Sequence, residues 1–218
     1  MTPEKTAAGS TPGSFAALRR FSRVADSRGK GESIAAAAVE RCELCSLRLA
    51  PQHRHLLEVA TRRIVCACDG CTTTFVPVVG GRFKVIPRDA RALPGFRISD
   101  ADWENLALPI SLAFFFHDSG KGKMTALYPS PAGATESLLS LSAWESIARQ
   151  NPTLAGVQSD VEALLVNRAK EARDYFIAPI DKCFELVGLI RMHWRGFGGG
   201  EEVWREIGAF FAALHAGT

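Results

Sequence analysis

RCELCSLRLAPQHRHLLEVATRRIVCACDGC, residues 41–71, decides the reading of this chain, because five of its six cysteines (Cys42, Cys45, Cys66, Cys68 and Cys71) fall inside it and only Cys183 stands apart. In a chain without an export signal, such clustering argues for a metal rather than for disulfides. The patterns are C-E-L-C and C-A-C-D-G-C. A C-x-x-C turn points two thiolates to one side, where nearby backbone N–H groups offset their negative charge. Two such turns joined by a hairpin make a tetrahedral four-cysteine cage, the closed geometry that zinc adopts in structural sites. Between Cys45 and Cys68 lie 22 residues, slightly beyond the usual spacing of about 15–20, and a longer hairpin takes up the difference.

The hairpin itself is legible. His55–Val59 and Arg63–Ala67 alternate or carry β-branched residues on either side of a turn at 60–62. A second hairpin is expected from Phe75–Val79 and Arg82–Ile86, with Gly80–Gly81 supplying positive φ between them. Five cysteines compete for four ligand positions. Two equivalent C-x-x-C turns select Cys42, Cys45, Cys68 and Cys71. Cys66 is the alternative ligand, since residues two apart in an extended chain point to one side and it can stand in for Cys68 or pack behind it. His53 and His55 are replacement ligands, although a histidine beside a hairpin is as readily a solvated surface residue. Zinc is the expected metal. A single iron, as in rubredoxin, or a two-iron, two-sulfide cluster would use the same thiolates, but rubredoxin turns carry Gly or Pro where this chain has Ser46–Leu47 and Thr72–Thr73. The bland alternative is a set of reduced, unligated thiols.

Outward from this stretch the composition changes. Residues 1–33 are rich in Gly, Ser, Thr and Ala, with helical spacing only over Phe15–Val24, and read as a disordered or weakly helical tail. Residues 34–39 lead helically into the first cysteine pair. The metal module is expected over 34–97 and a mixed α+β domain over 98–218. Ser99 caps a short helix. Ile110–Phe116 and Met124–Tyr128 read as buried strands around a turn at 118–122. The run YPSPAGATES reads as a loop feeding a helix over Thr135–Arg149, and Val161–Val166 as a further strand. Ile180, Cys183, Phe184, Val187, Ile190 and Trp194 recur at helical spacing behind Pro179, and Glu201–Leu214 closes the chain as an amphipathic helix. Trp144, Trp194 and Trp204 fall on the apolar faces of their helices.

The 218 residues, 47% hydrophobic and 22% charged, exclude a disordered chain, a fibre and a long coiled coil. No apolar run approaches the ~20 residues of a membrane span, and the first twenty residues carry no signal-peptide core, so a cytoplasmic protein is expected. Residues 1–97 hold 16 Lys/Arg against 8 Asp/Glu, and residues 98–218 hold 10 against 15. Either the two parts attract one another or the basic part steers an acidic partner. Residues 41–68 interleave no aromatic side chain, so a nucleic-acid partner is not expected.

Other motifs carry less. S-G-K-G-K-M at 119–124 lacks the first glycine of a phosphate loop. Ser130–Glu136 places small residues before an expected helix N-terminus, where an anion could sit. Cys183, with Asp181 and His193 nearby in sequence, suggests a nucleophile, but it falls on an apolar stripe and reads as a core cysteine.

The motifs R-C-E-L-C, H-R-H-L-L-E-V, C-A-C-D-G-C, Y-P-S-P-A-G-A-T-E-S, D-V-E-A-L-L-V-N-R, P-I-D-K-C-F-E-L-V-G-L-I-R and W-R-G-F-G-G-G-E-E-V-W together resemble a bacterial family encoded beside high-affinity, oxygen-tolerant uptake NiFe hydrogenases. The resemblance runs from Arg41 to the C-terminus. It implies an association with hydrogenase assembly or operation and supplies no catalytic residue. The resulting expectation is an α+β protein with a zinc-ribbon-like four-cysteine hairpin module packed on a domain with C-terminal helices. Its expected role is that of a non-catalytic accessory or maturation factor binding a hydrogenase subunit or assembly factor. A rubredoxin-like iron electron carrier is the alternative, and an enzyme using Cys183 is the third reading.

Overall fold

Two short runs of period-two alternation build the first sheet. β1 (Arg54–Glu58) and β2 (Arg63–Ala67) pair antiparallel, with His55 opposite Cys66 and Leu57 opposite Ile64. Their turn closes as Arg62 N–H donates to the Glu58 carbonyl at 2.8 Å, with Arg62 in the left-handed region at φ 58°. The computed structural model describes residues 40–76, 81–138, 141–196 and 198–218. The tail over 1–33, its helix over Phe15–Val24 and the helical lead at 34–39 lie outside the described residues.

The expected second hairpin departs from the structure at its first residue, and most of its first strand lies outside the described residues. Phe75 ends a helix, α1 (Asp69–Phe75), while residues 77–80 lie outside the described residues. Within α1 each threonine hydroxyl donates back to a carbonyl one helical turn earlier: Thr72 to Cys68 at 3.1 Å, Thr73 to Asp69 at 2.9 Å and Thr74 to Gly70 at 2.8 Å. β3 (Phe83–Val85) instead pairs with β1, giving the order β2-β1-β3.

The remaining elements are β4 (Arg91–Ala92), α2 (Asp100–Asn105), β5 (Leu112–Asp118), β6 (Lys123–Ser130), β7 (Gly133–Ser137), α3 (Leu141–Gln150), a 3-10 turn (Pro152–Gly156), β8 (Glu162–Asn167), β9 (Asp174–Pro179), α4 (Ile180–His193) and α5 (Gly200–Ala216). Ser99 caps α2 as expected, its Oγ accepting from Asp102 N–H at 3.0 Å. Six strands form an antiparallel sheet in the order β4-β9-β8-β5-β6-β7. YPSPAGATES is a hairpin rather than a loop into a helix. β6 runs to Ser130 and turns through Gly133 at φ 126° into β7, so no helix N-terminus stands at Ser130–Glu136. β9, buried between β4 and β8, was hidden by its short run before Pro179.

Both faces of the large sheet are covered, which is why its central strands read as unbroken apolar runs. Leu112, Phe114 and Phe116 of β5 face one core together with Ala163, Leu165, Phe176 and the apolar sides of α4 and α5. Ala113, Phe115, Leu164, Val166 and Ile177 face the other, with Leu106 following α2 and Ile147 of α3. The alternation follows the strand period of two.

Part of the charge asymmetry is consumed inside this fold. Lys84 Nζ meets Asp160 at 2.6 Å, Arg62 Nη1 lies 3.3 Å from Asp118, Arg91 Nη2 bonds Glu162 at 2.9 Å and His55 Nδ1 bonds Asp181 at 2.6 Å. Each basic partner comes from the first part and each acid from the second. Among the described residues no helix is long and apolar enough to cross a membrane.

Candidate metal centre

The first cysteine pair lies in a tight knuckle. Cys42 N–H donates to the Leu47 carbonyl at 2.8 Å and Ser46 N–H to the Cys42 carbonyl at 2.7 Å, with Ser46 left-handed at φ 65°. Glu43 fastens the knuckle to β2. Its N–H donates to the Cys66 carbonyl at 2.9 Å, Oε1 accepts from Cys66 N–H at 2.9 Å and Oε2 accepts from Arg63 Nη1 at 2.8 Å. This tie sets Cys42 and Cys45 beside the end of the hairpin, where β2 delivers Cys68.

The second pair sits differently. Cys68 caps α1 and Cys71 lies in its first turn, with Cys71 N–H donating to Cys68 Sγ at 3.4 Å. The two C-x-x-C turns are therefore not equivalent: one is a knuckle, the other the first turn of a short helix. The sequence signal for this difference is the D-G-C-T-T-T run, where acid and small residues open a helix instead of a strand.

The structure brings Cys42, Cys45, Cys68 and Cys71 together, with all four Sγ atoms within 4.8 Å of one another and Cys45 Sγ 3.7 Å from Cys68 Sγ. A tetrahedron with metal–sulfur bonds of ~2.3 Å has edges of about 3.8 Å, so the Cys45–Cys68 pair already stands at ligand spacing. Cys42 and Cys71 are buried, Cys68 is half-buried and Cys45 is exposed. Burial pushes the Cys42 thiol up, but hydrogen bonds from backbone groups of Cys68, Leu44 and Cys45 outweigh it and bring it down to about 6. Burial and the neighbouring sulfurs of Cys45, Cys68 and Cys42 push Cys71 up to about 12. The Cys42 thiolate is thus favoured, while those of Cys45 and Cys71 are disfavoured. A divalent cation cancels the repulsion among the thiolates. The donor set, four sulfurs in a closed cage, suits zinc or iron.

Cys66, the alternative ligand, is placed away from this cage and beside His53 and His55, the replacement ligands. The chain leaves β2 at Ala67, so the period of two that would align Cys66 with Cys68 is broken there. Cys183 is fully buried, and burial followed by the Asp181 charge raises its thiol far above the ordinary range. His193 is bound instead to Glu202 at 2.9 Å, so no nucleophile pair forms at Cys183. The S-G-K-G-K-M stretch makes the β5–β6 turn, with Ser119 Oγ donating to Asp160 at 2.6 Å and Lys121 N–H to Asp118 at 3.0 Å. Glu43 and Asp181 are the positioning residues that sequence reasoning missed. The first showed only as an x in C-x-x-C, and the second meets its partner across 126 residues.

A family model described as a family of unknown function, DUF5947, matches residues 41–218. No curated protein and no solved structure matches the chain. The matched span includes the knuckle, both sheets and all five α-helices described, and the chain belongs to the DUF5947 family.

Proposed function

We propose that this protein is a non-catalytic accessory or maturation factor whose cysteine module holds a structural zinc ion through Cys42, Cys45, Cys68 and Cys71. The observation that carries this reading is the convergence of four sulfurs within 4.8 Å from a knuckle and a helix N-terminus, a complement that leaves no coordination position for a substrate. The knuckle and hairpin are zinc-ribbon-like, and the ion would fasten them to α1. Leu47 and Phe75, at the knuckle and at the end of α1, are exposed apolar side chains, and they are the points at which a protein partner would dock on this module. The sequence resemblance makes that partner a hydrogenase subunit or assembly factor. Co-purification of the tagged protein with hydrogenase subunits from a host expressing both, lost on Leu47→Asp substitution, tests the partner. Recovery of equal hydrogenase with the variant contradicts the docking surface.

The exposed Cys45 favours one second reading, an iron-holding electron carrier, since a solvent-facing ligand gives electrons a short path. Colour separates the two: a zinc protein is colourless and an iron–thiolate protein absorbs visible light.

A further inference from the structure

β1 and β2 present two faces. Leu56, Val65 and Ala67 turn to the cysteine core, while Leu57 and Ile64 turn to the core of the large sheet. Residues two apart on a strand share a face, and residues directly opposite in an antiparallel pair share it as well. His55 and its partner Cys66 therefore lie on the Leu57–Ile64 face, and His53, two residues before His55, joins them. One ligand atom from each of the three lies within 4.8 Å of the others.

Both imidazoles are held through Nδ1. His55 Nδ1 bonds the Asp181 carboxylate at 2.6 Å and His53 Nδ1 bonds the Ala50 carbonyl at 2.9 Å. An Nδ1–H that donates to an oxygen leaves the Nε2 lone pair free, and this is how metal-binding histidines are oriented. The His53 side chain is only 7% exposed, and its Nε2 is buried with no hydrogen-bond partner among the described residues. A buried polar nitrogen without a partner is rare and calls for an explanation.

The geometry points to a second metal site, in which His53 Nε2, His55 Nε2 and Cys66 Sγ hold one divalent d-block cation, zinc foremost, with a fourth position open to water or a small anion. It shares no ligand with the four-thiolate cage. Bonds of ~2.0–2.3 Å place such ligands about 3.3–3.8 Å apart; one ligand atom from each of the three lies within 4.8 Å of the others, and the two imidazoles would turn Nε2 to the ion. Imidazole and thiolate select zinc, cobalt or copper over magnesium and calcium. His53 and His55 border a groove also lined by Arg88, Asp89, Asp181 and Lys182. Three protein ligands with an open fourth position are the arrangement of reactive zinc sites, whereas four thiolates make a closed one. The Asp181 carboxylate acts as a positioning residue that fixes the His55 ring.

Equilibrium dialysis of the full-length protein against buffered zinc, followed by metal counting and X-ray absorption, tests the site. Wild type is expected to hold two zinc ions per chain, and Cys66→Ala and His53→Gln one each, with only sulfur ligation remaining. Asp181→Asn should keep both ions but weaken the second by about 10–100-fold, and Cys183→Ala should match wild type. Cobalt in the second site should give a sulfur-to-metal charge-transfer band that Cys66→Ala reduces. A wild type holding one ion in all-sulfur ligation overturns the proposal, as do Cys66→Ala and His53→Gln variants that both retain two. Failure of the four-thiolate reading looks different: one ion with nitrogen ligation, abolished by His53→Gln. Circular dichroism verifies that the variants fold. Where one does not, wild-type stoichiometry and the Asp181→Asn affinity decide.

Discussion

Lys84 Nζ and the Asp160 carboxylate meet at 2.6 Å, joining β3 of the small sheet to the turn before β8 of the large one. The Asp160 side chain is nearly fully buried, whereas Lys84 stays partly exposed. Burial alone would raise the Asp160 pKa, but the hydrogen bonds from Lys84 and Ser119 outweigh it and hold the carboxyl below its ordinary value. Its backbone is left-handed at φ 72°, a region Asn enters as readily as Asp, so Asp160→Asn removes the charge without straining the chain. Urea unfolding at neutral pH should show a loss of about 2–3 kcal/mol, below that of a fully buried pair because Lys84 remains partly solvated. A folded-state pKa that is lowered gives stability present above the unfolded value of about 3.9 and lost as pH falls through the folded value. Asp160→Asn should therefore flatten the acid limb of the stability curve. An unchanged acid limb would show that the carboxylate is not held by this pair.

Arg62 and Arg63 are neighbours in sequence and unequal in structure. Arg62 lies 3.3 Å from Asp118, with its guanidinium 4.3 Å from the centre of the Phe116 ring, whereas Arg63 is more than half exposed. Reversing Arg62 to Glu sets a carboxylate among Asp118 and Asp160, and thermal unfolding should register about 3 kcal/mol of lost stability. Arg63→Glu should cost under about 1 kcal/mol. Equal effects would contradict the internal pairing of the basic part.

Gly199 supplies the bend between α4 and α5. At φ 82°, an added Cβ would stand 2.8 Å from Val203 Cγ1 and 3.1 Å from Trp194 Cε3. Gly199→Ala should cost about 2–4 kcal/mol, backbone strain and overpacking together. Gly122→Ala, at φ 63° with open space around it, should cost only ~1 kcal/mol. Paired denaturation curves separate steric crowding from backbone strain, and equal losses would remove the crowding argument.

The legible parts of this protein are those governed by local pattern. The β1–β2 hairpin, the Ser99 cap, β5–β6, β8, α4 and α5 all follow from periodicity and capping within a dozen or so residues. The four cysteines converge because a hairpin returns the chain, as the two C-x-x-C spacings suggest, while the Glu43 tie that sets the first pair in place was not legible. What escaped depended on competition or distance. Phe75, expected to open a strand, instead ends the short helix that Cys68 caps. Pro131 and Gly133 made a hairpin turn where a helix lead was expected. The His53, His55 and Cys66 juxtaposition needs the register of β1 on β2, and the Asp181 contact needs the tertiary fold.

The central claim is the four-thiolate zinc centre, and X-ray absorption on the full-length Cys66→Ala variant tests it most directly, because that substitution leaves Cys42, Cys45, Cys68 and Cys71 as the clustered thiols. The account predicts one zinc per chain with four sulfur ligands at ~2.3 Å, lost together with protease resistance when Cys42, Cys45, Cys68 or Cys71 is further changed to Ser and kept when Cys183 is. Stoichiometric iron, nitrogen ligation at the remaining ion, or a folded protein with no metal would contradict it.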